Sequence, residues 1–282
     1  MPAIIGDNEK GQRREMSWPE LRRQVAALAR HLQAQGVRPG DRVAAYLPNV
    51  PETMVAFLAV VSVGGIWSVC APDMGTNAVL DRFKQITPKV LMACDGVTYG
   101  GKDHDRSAVV AELRQALPSV QHVVYWRNLG LSALTDCADF SKVVGAGGDD
   151  PGFAPLWLPF DHPLWIVYSS GTTGLPKPIV HGHGGVMMEM LKGGIHNNVG
   201  ATVDTGDRFH WYSSTGWIMW NCQVGALMGG TTICLFDGSP AGPKDAPDWS
   251  TLWRFAALSG ATFFGAGAAF YASCLKAGVT PM

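Results

Sequence analysis

The chain has 282 residues, enough for one large domain or two small ones with a buried core. Lys and Arg number 22 against 23 Asp and Glu, a net charge of −1, so no basic surplus exists to neutralise a nucleic-acid backbone. Charged residues are only 16% and hydrophobic residues 47%, which excludes a disordered chain.

The predicted elements alternate between strands and helices. Residues 2–16 read as a hairpin around the polar turn GDNEKGQR. Ser17, with Glu20 three residues on, has the form of a capping box, and a helix follows to about Gln35, where Gly36 stops it. Its apolar positions Leu21, Val25, Leu28 and Leu32 recur at helical spacing. A strand at 43–47 precedes a helix that Pro51 opens and that runs through Val63. Further strands are predicted at 67–71, 89–94 and 122–126, with helices at 77–86 and 109–117 between them. Residues 127–161 carry little pattern and read as a connecting stretch, with GAGGDDPG at 145–152 as its linker. Beyond it come strands at 164–168, 179–181, 231–236 and 262–264, and helices from Gly184, at 217–228, at 249–258 and up to Lys276. This alternation predicts an α/β fold of mostly parallel sheets covered by helices, divided as 1–150 and 151–282.

Two uncharged runs, 19 residues from Met54 to Pro72 and 28 from Phe209 to Phe236, approach membrane-span length. Gly64-Gly65 and Gly229-Gly230 interrupt them, so each reads as a buried helix followed by a buried strand, and no membrane span is expected. The six cysteines, Cys70, Cys94, Cys137, Cys222, Cys234 and Cys274, have no paired spacing. They read as apolar thiols of a reducing, cytoplasmic compartment, and no metal ligands are assigned.

The segment with chemical content is Tyr168–Lys177, YSSGTTGLPK. It follows an apolar strand and carries the hydroxyls Ser169, Ser170, Thr172 and Thr173, the glycines Gly171 and Gly174, and Lys177. Glycines let backbone amides approach a ligand, and amides with hydroxyls make dense donors for phosphate oxygens. Lys177 adds a full positive charge. The spacing is not that of the common P-loop, because Leu175 and Pro176 stand between Gly174 and the lysine.

YSSGTTGLPK resembles the signature loop of the AMP-forming acyl-CoA ligases, the adenylate-forming superfamily, at every position, and His181 in the following IVHGHGG resembles its continuation. Residues 36–75 and 214–240 resemble the acetyl- and acetoacetyl-CoA synthetase branch, and IVHGHGG with WYSSTGWIMWNCQVGALMGG resembles the acetoacetyl-specific members. The resemblance implies an incomplete N-terminal domain that activates a short carboxylate, acetoacetate, with Mg-ATP and passes the acyl group to CoA. Ser169, Ser170, Gly171, Thr172, Thr173, Gly174 and Lys177 would then hold the ATP phosphates. Trp217 with Trp220 and Met219 would wall a small acyl pocket, which His181 and His183 would touch. The implied partners are these small molecules; the oligomeric state is left open.

The chain also departs from that family. The aromatic-Gly-x-Thr-Glu segment for adenine and Mg²⁺, the ribose-binding aspartate and the domain with the catalytic lysine are all expected beyond Met282, which predicts little activity for these 282 residues alone. FGAGAAFYASC differs from the family's Ser/Thr-Pro or Ser-Ala form at Ala266–Ala268. A ligase for acetate or propionate, and a non-catalytic nucleotide-binding remnant, are the alternative readings.

Overall fold

The computed structural model describes residues 1–131, 134–148, 150–169, 174–196 and 206–280. The chain opens with the expected hairpin, β1 (Pro2–Asn8) antiparallel to β2 (Arg14–Ser17), Ile4 facing Met16. Ser17 caps α1 (Trp18–Ala34), its hydroxyl accepting from the Glu20 amide at 3.2 Å. Leu21, Val25, Leu28 and Leu32 are all buried on one face of that helix.

The next segment alternates in the expected way. It runs through β3 (Arg42–Tyr46), α2 (Pro51–Ser62), β4 (Ile66–Cys70), α3 (Thr76–Ile86) and β5 (Val90–Cys94). A small hairpin follows, β6 (Gly96–Tyr99) with β7 (Lys102–Asp105), then α4 (Ser107–Ala116) and β8 (His122–Trp126). The stretch 127–161 is not featureless: it contains β9 (Ala138–Asp139) and α5 (Phe140–Ala146). Asp139 caps α5 by accepting from the Lys142 amide, and Phe140 and Val144 are buried. Val144, Gly147 and Phe153 are strapped to α1, with Arg23 donating to the Val144 and Gly147 carbonyls and Arg22 to that of Phe153.

The second half holds β10 (Pro163–Ser169), β11 (Lys177–Gly182), α6 (His183–His196), β12 (Arg208–Trp211) and α7 (Ile218–Gly225). It ends with β13 (Thr232–Asp237), α8 (Thr251–Ser259), β14 (Phe263–Gly265) and α9 (Ala268–Lys276). The sequence reading gave β12 no strand.

The strands form two large sheets. One has the order β11-β10-β4-β3-β5-β8-β9, parallel except at β10–β11; the other has the order β14-β12-β13-β1-β2, parallel except at β1–β2. Strand β1 pairs with β13, Ile4 beside Ile233, and β10 pairs with β4, Trp165 beside Trp67. Both sheets thus draw strands from either side of residue 150, where the sequence suggests a division.

Side-chain alternation along the strands builds five layers. Val43, Ala45, Met92 and Cys94 face a central layer with α1 and α2, which Ile4, Ile233 and Leu235 close from the other sheet and Trp220 from α7. Ala44, Tyr46, Leu91 and Ala93 face the opposite way, onto α3 and α4. Ile5, Cys234 and Phe236 face α8 and α9. Helix α2 lies between the two sheets and is buried nearly all round, which explains why its only charge is Glu52 in the first turn, paired with Arg14 at 2.7 Å. Among the described residues no helix is long and apolar enough to cross a membrane. The run 54–72 turns at Gly64-Gly65: Gly64 has φ +77°, and a Cβ on Gly65 would meet Val60 at 2.8 Å. Only glycine permits so abrupt a return from helix to strand there.

Candidate functional site

The phosphate-loop candidate is the connection of a β-hairpin. Strands β10 and β11 pair antiparallel so that Ser169 faces Lys177 and Tyr168 faces Pro178. The sequence predicts this strand-loop-strand form, and the hairpin brings the two ends of the motif together. Ser169 is half-buried; Gly174, at φ +148°, and Lys177 are exposed. Ser170, Gly171, Thr172 and Thr173 lie outside the described residues.

Helix α3 holds both feet of this loop. Gln85 Nε2 donates to the Pro176 carbonyl at 2.9 Å. The Tyr168 hydroxyl donates to the Arg82 carbonyl at 3.2 Å and accepts from Ser68 at 3.2 Å. The Arg82 guanidinium lies 5.6 Å from the centroid of the Tyr168 ring. Burial pushes the Tyr168 hydroxyl well above its ordinary pKa, so it stays a neutral donor. The sequence reading missed Arg82, Gln85 and Ser68. They are 86–100 positions from their partners, and only the parallel pairing of β4 with β10 brings them near.

Tyr168 and Arg82 also line a cleft of about 680 Å³ between the two sheets. Its opposite wall comes from the β12–α7 connection, Trp211, Tyr212, Ser213, Ser214, Gly216, Trp217 and Met219. Gly267, Ala269 and Phe270 complete it, so the divergent GAGAAF stretch borders the same space. The Cys70 thiol on its wall is pushed by burial up to about 12, which leaves it unreactive. A cleft with one cation, several hydroxyls and aromatic walls suits a small anion with an apolar portion.

The other expected pocket residues separate into three environments. Trp217 is 62% exposed at the cleft wall, and Met219 lines it too. Trp220 is not a pocket residue. It is fully buried, stacks on Trp67 at 6.4 Å and donates to Asn49 at 3.1 Å, because it lies on the face of α7 turned into the central layer. His181 accepts through Nδ1 from Trp165 Nε1 at 2.8 Å, which fixes its neutral tautomer with the proton on Nε2. His183 opens α6 and lies 5.7 Å from the His162 ring; burial, then the neighbouring His162, lowers its pKa. It lines a separate groove with Phe160 and Met187. Neither histidine lines the cleft. Among the described residues no three His, Cys, Asp or Glu side chains converge to hold a metal ion.

Comparison with known proteins places this architecture. The profile of the AMP-binding enzyme family matches residues 1–281. An acetoacetyl-coenzyme A synthetase of Rhizobium meliloti (strain 1021) is 39% identical over 99% of this chain and 42% of its own length. A malonamoyl-CoA synthetase of Penicillium aethiopicum is 32% identical over 95% of the chain and 39% of its own. The solved structure of an acetoacetyl-CoA synthetase from Streptomyces lividans is 49% identical and superposes with a TM-score of 0.92, covering 99% of this chain and 42% of that one. The chain spans about two fifths of the length of these relatives, and it belongs to the AMP-binding enzyme family.

Proposed function

We propose that this chain is the phosphate-gripping and acyl-binding portion of an AMP-forming acid–thiol ligase for acetoacetate. The hairpin carries the reading: its loop begins at Ser169 and ends at Lys177, directly across the ladder, and its base residue Tyr168 lines the cleft. In this reaction a carboxylate oxygen bonds to the α-phosphorus of ATP, and the bond from that phosphorus to the bridging oxygen breaks to release pyrophosphate. The acyl group then passes from the adenylate to the sulfur of CoA. The chain's part is positioning and charge stabilisation. The hydroxyls and amides of 169–174 grip the β- and γ-phosphates, and Lys177 offsets the charge that grows on pyrophosphate as it leaves. Trp217 and Met219 hold the acyl portion beside them.

The Mg²⁺ of Mg-ATP is part of the substrate. A cytoplasmic location fits six cysteines that are all free thiols.

Calorimetric titration of the chain with ATP tests the grip. Replacing Lys177 with Ala is expected to weaken binding by ~1.5–3 kcal/mol, the range for a hydrogen bond to a charged group. An affinity unaltered by that substitution refutes the phosphate assignment. For the acid, calorimetric affinities of the chain for acetate, propionate, butyrate and acetoacetate discriminate within the ligase class. Preference for acetate or propionate would replace acetoacetate.

A further inference from the structure

Among the described residues the cleft is lined by a single charged side chain, Arg82 of α3. Its guanidinium is half-buried, and no described carboxylate pairs with it. The neighbours that could ionise do not supply a counter-ion. The Tyr168 ring packs against Arg82 and the Cys70 thiol lines the same cleft, and burial keeps both protonated. Taking a cation out of water without a partner is costly, and an anion entering the cleft relieves that cost.

The guanidinium is held in place but not used up. Nη1 donates to the Ala78 carbonyl at 2.6 Å, one turn back in α3. The guanidinium carbon lies 5.6 Å from the centroid of the Tyr168 ring. One nitrogen and one face are thus engaged. The remaining N–H groups of the planar fork are free to donate, and a carboxylate can accept two of them side by side.

Placement selects the anion. Tyr168, on which Arg82 rests, faces Pro178 across the base of the phosphate-loop hairpin, one residue from the Ser169–Lys177 pair. Trp217 and Met219 line the same cleft and give it an apolar wall. An acid bound with its carboxylate on Arg82 therefore presents that group beside the phosphate loop. The cation also screens the repulsion between the carboxylate and the triphosphate.

We propose that Arg82 binds the carboxylate of the acid substrate. This rests on reading the cleft as the acyl site.

The test is calorimetric titration of wild type and Arg82→Gln with acetoacetate and with acetoacetamide, the uncharged amide of nearly the same shape. The readout is the ratio of the two affinities, because a merely structural role would weaken both ligands together. The wild type should prefer the acid, and Arg82→Gln should cut that preference by at least about tenfold, the lower end for a hydrogen bond to a charged group. A folded variant with the wild-type ratio overturns the assignment and leaves the cleft reading intact. If that variant keeps the ratio but binds ATP more weakly, Arg82 serves the phosphates instead, and the assignment is overturned too. A wild type without preference for the acid also overturns it. Thermal melts identify a variant that fails to fold. In that case phenylglyoxal modification of the wild type decides, with the other arginines as controls: acetoacetate should protect Arg82 and acetoacetamide should not, and equal modification with either ligand refutes the contact. If neither ligand binds any folded form, the acyl-site reading falls and the role of Arg82 falls with it.

Discussion

Two tryptophans three positions apart in one motif behave oppositely. Trp217 stands at the cleft wall with 62% of its surface exposed, while Trp220 is fully buried. Trp220 packs edge-on against Phe57 at 6.0 Å and stacks on Trp67, so it joins α7 to the layer between the sheets. Trp220→Ala is therefore expected to cost ~3–5 kcal/mol in urea unfolding, the cost of removing a large core aromatic. Trp217→Ala should stay within about 0.5 kcal/mol, as surface changes usually do. Equal losses for the two would contradict this division of roles. The sequence marks both as aromatics of the motif, but not which one faces inward. Helix α7 begins at Ile218, so Trp217 is the residue before the helix and points off its axis. His181 and His183 show the same limit: spacing sets them near the motif, while hydrogen bonding to Trp165 and packing on His162 take them out of the cleft.

At the scale of elements, what was legible is what local chemistry dictates. The α1 start is one case. The Ser17 hydroxyl satisfies the Glu20 amide, and Glu20 in turn accepts from Gln24 at 3.0 Å. Ser17→Ala should lower stability by ~1 kcal/mol, measurable as a shift of the urea midpoint without change of slope. An unchanged midpoint would mean that packing of α1 against α2 and α5 alone holds its first turn. The strand that follows the phosphate loop was likewise readable, because Pro176 and Pro178 disfavour a helix after Gly174, but its antiparallel pairing with β10 in a mostly parallel sheet was not. What was not legible depends on distant partners. Strand β12 is four residues long and gains its identity by lying between β13 and β14. The β6–β7 hairpin turns at Gly100 and Gly101, both at positive φ, and the Glu9 carboxylate of the first hairpin accepts from both amides. Nothing near residue 100 in the sequence announces a partner 91 positions away. Helix α5 was hidden in a stretch rich in Gly and Asp because α1 supplies much of what holds it.

At the scale of the molecule, the sheet that joins the two ends of the chain carries two buried titratable groups with opposite effects. His210 on β12 is fully buried; its Nδ1 donates to the Cys234 carbonyl at 2.7 Å, and the rings of Phe255 and Phe264 flank it. Burial lowers its pKa from 6.5 to about 4. Between those values an unfolded chain takes up a proton that the native one refuses, so acidification favours unfolding, by ~3 kcal/mol in full. Asp237, at the end of β13, is raised from 3.8 to about 7 by burial and by the nearby Glu9 and Glu52. Here the native chain keeps a proton that the unfolded one has released, so acidification over the same window favours folding. The two slopes oppose each other between pH 6.5 and 4. Asp248, held near 2 by its bonds to Ser250 and Arg254, titrates below that window and leaves it undisturbed. Asp237→Asn removes one slope and leaves the other. The variant should therefore lose stability more steeply than the wild type as pH falls from 6.5 to 4.5, read from urea midpoints at each pH. His210→Gln should do the reverse and grow relatively more stable on acidification. Because β1 pairs with β13 across more than two hundred residues, this sheet forms only when both ends of the chain are in place, so the titrations weigh on global unfolding. A wild-type pH slope retained in Asp237→Asn would mean that the aspartate is already ionised in the native sheet, with the Glu9 and Glu52 charges tolerated beside it.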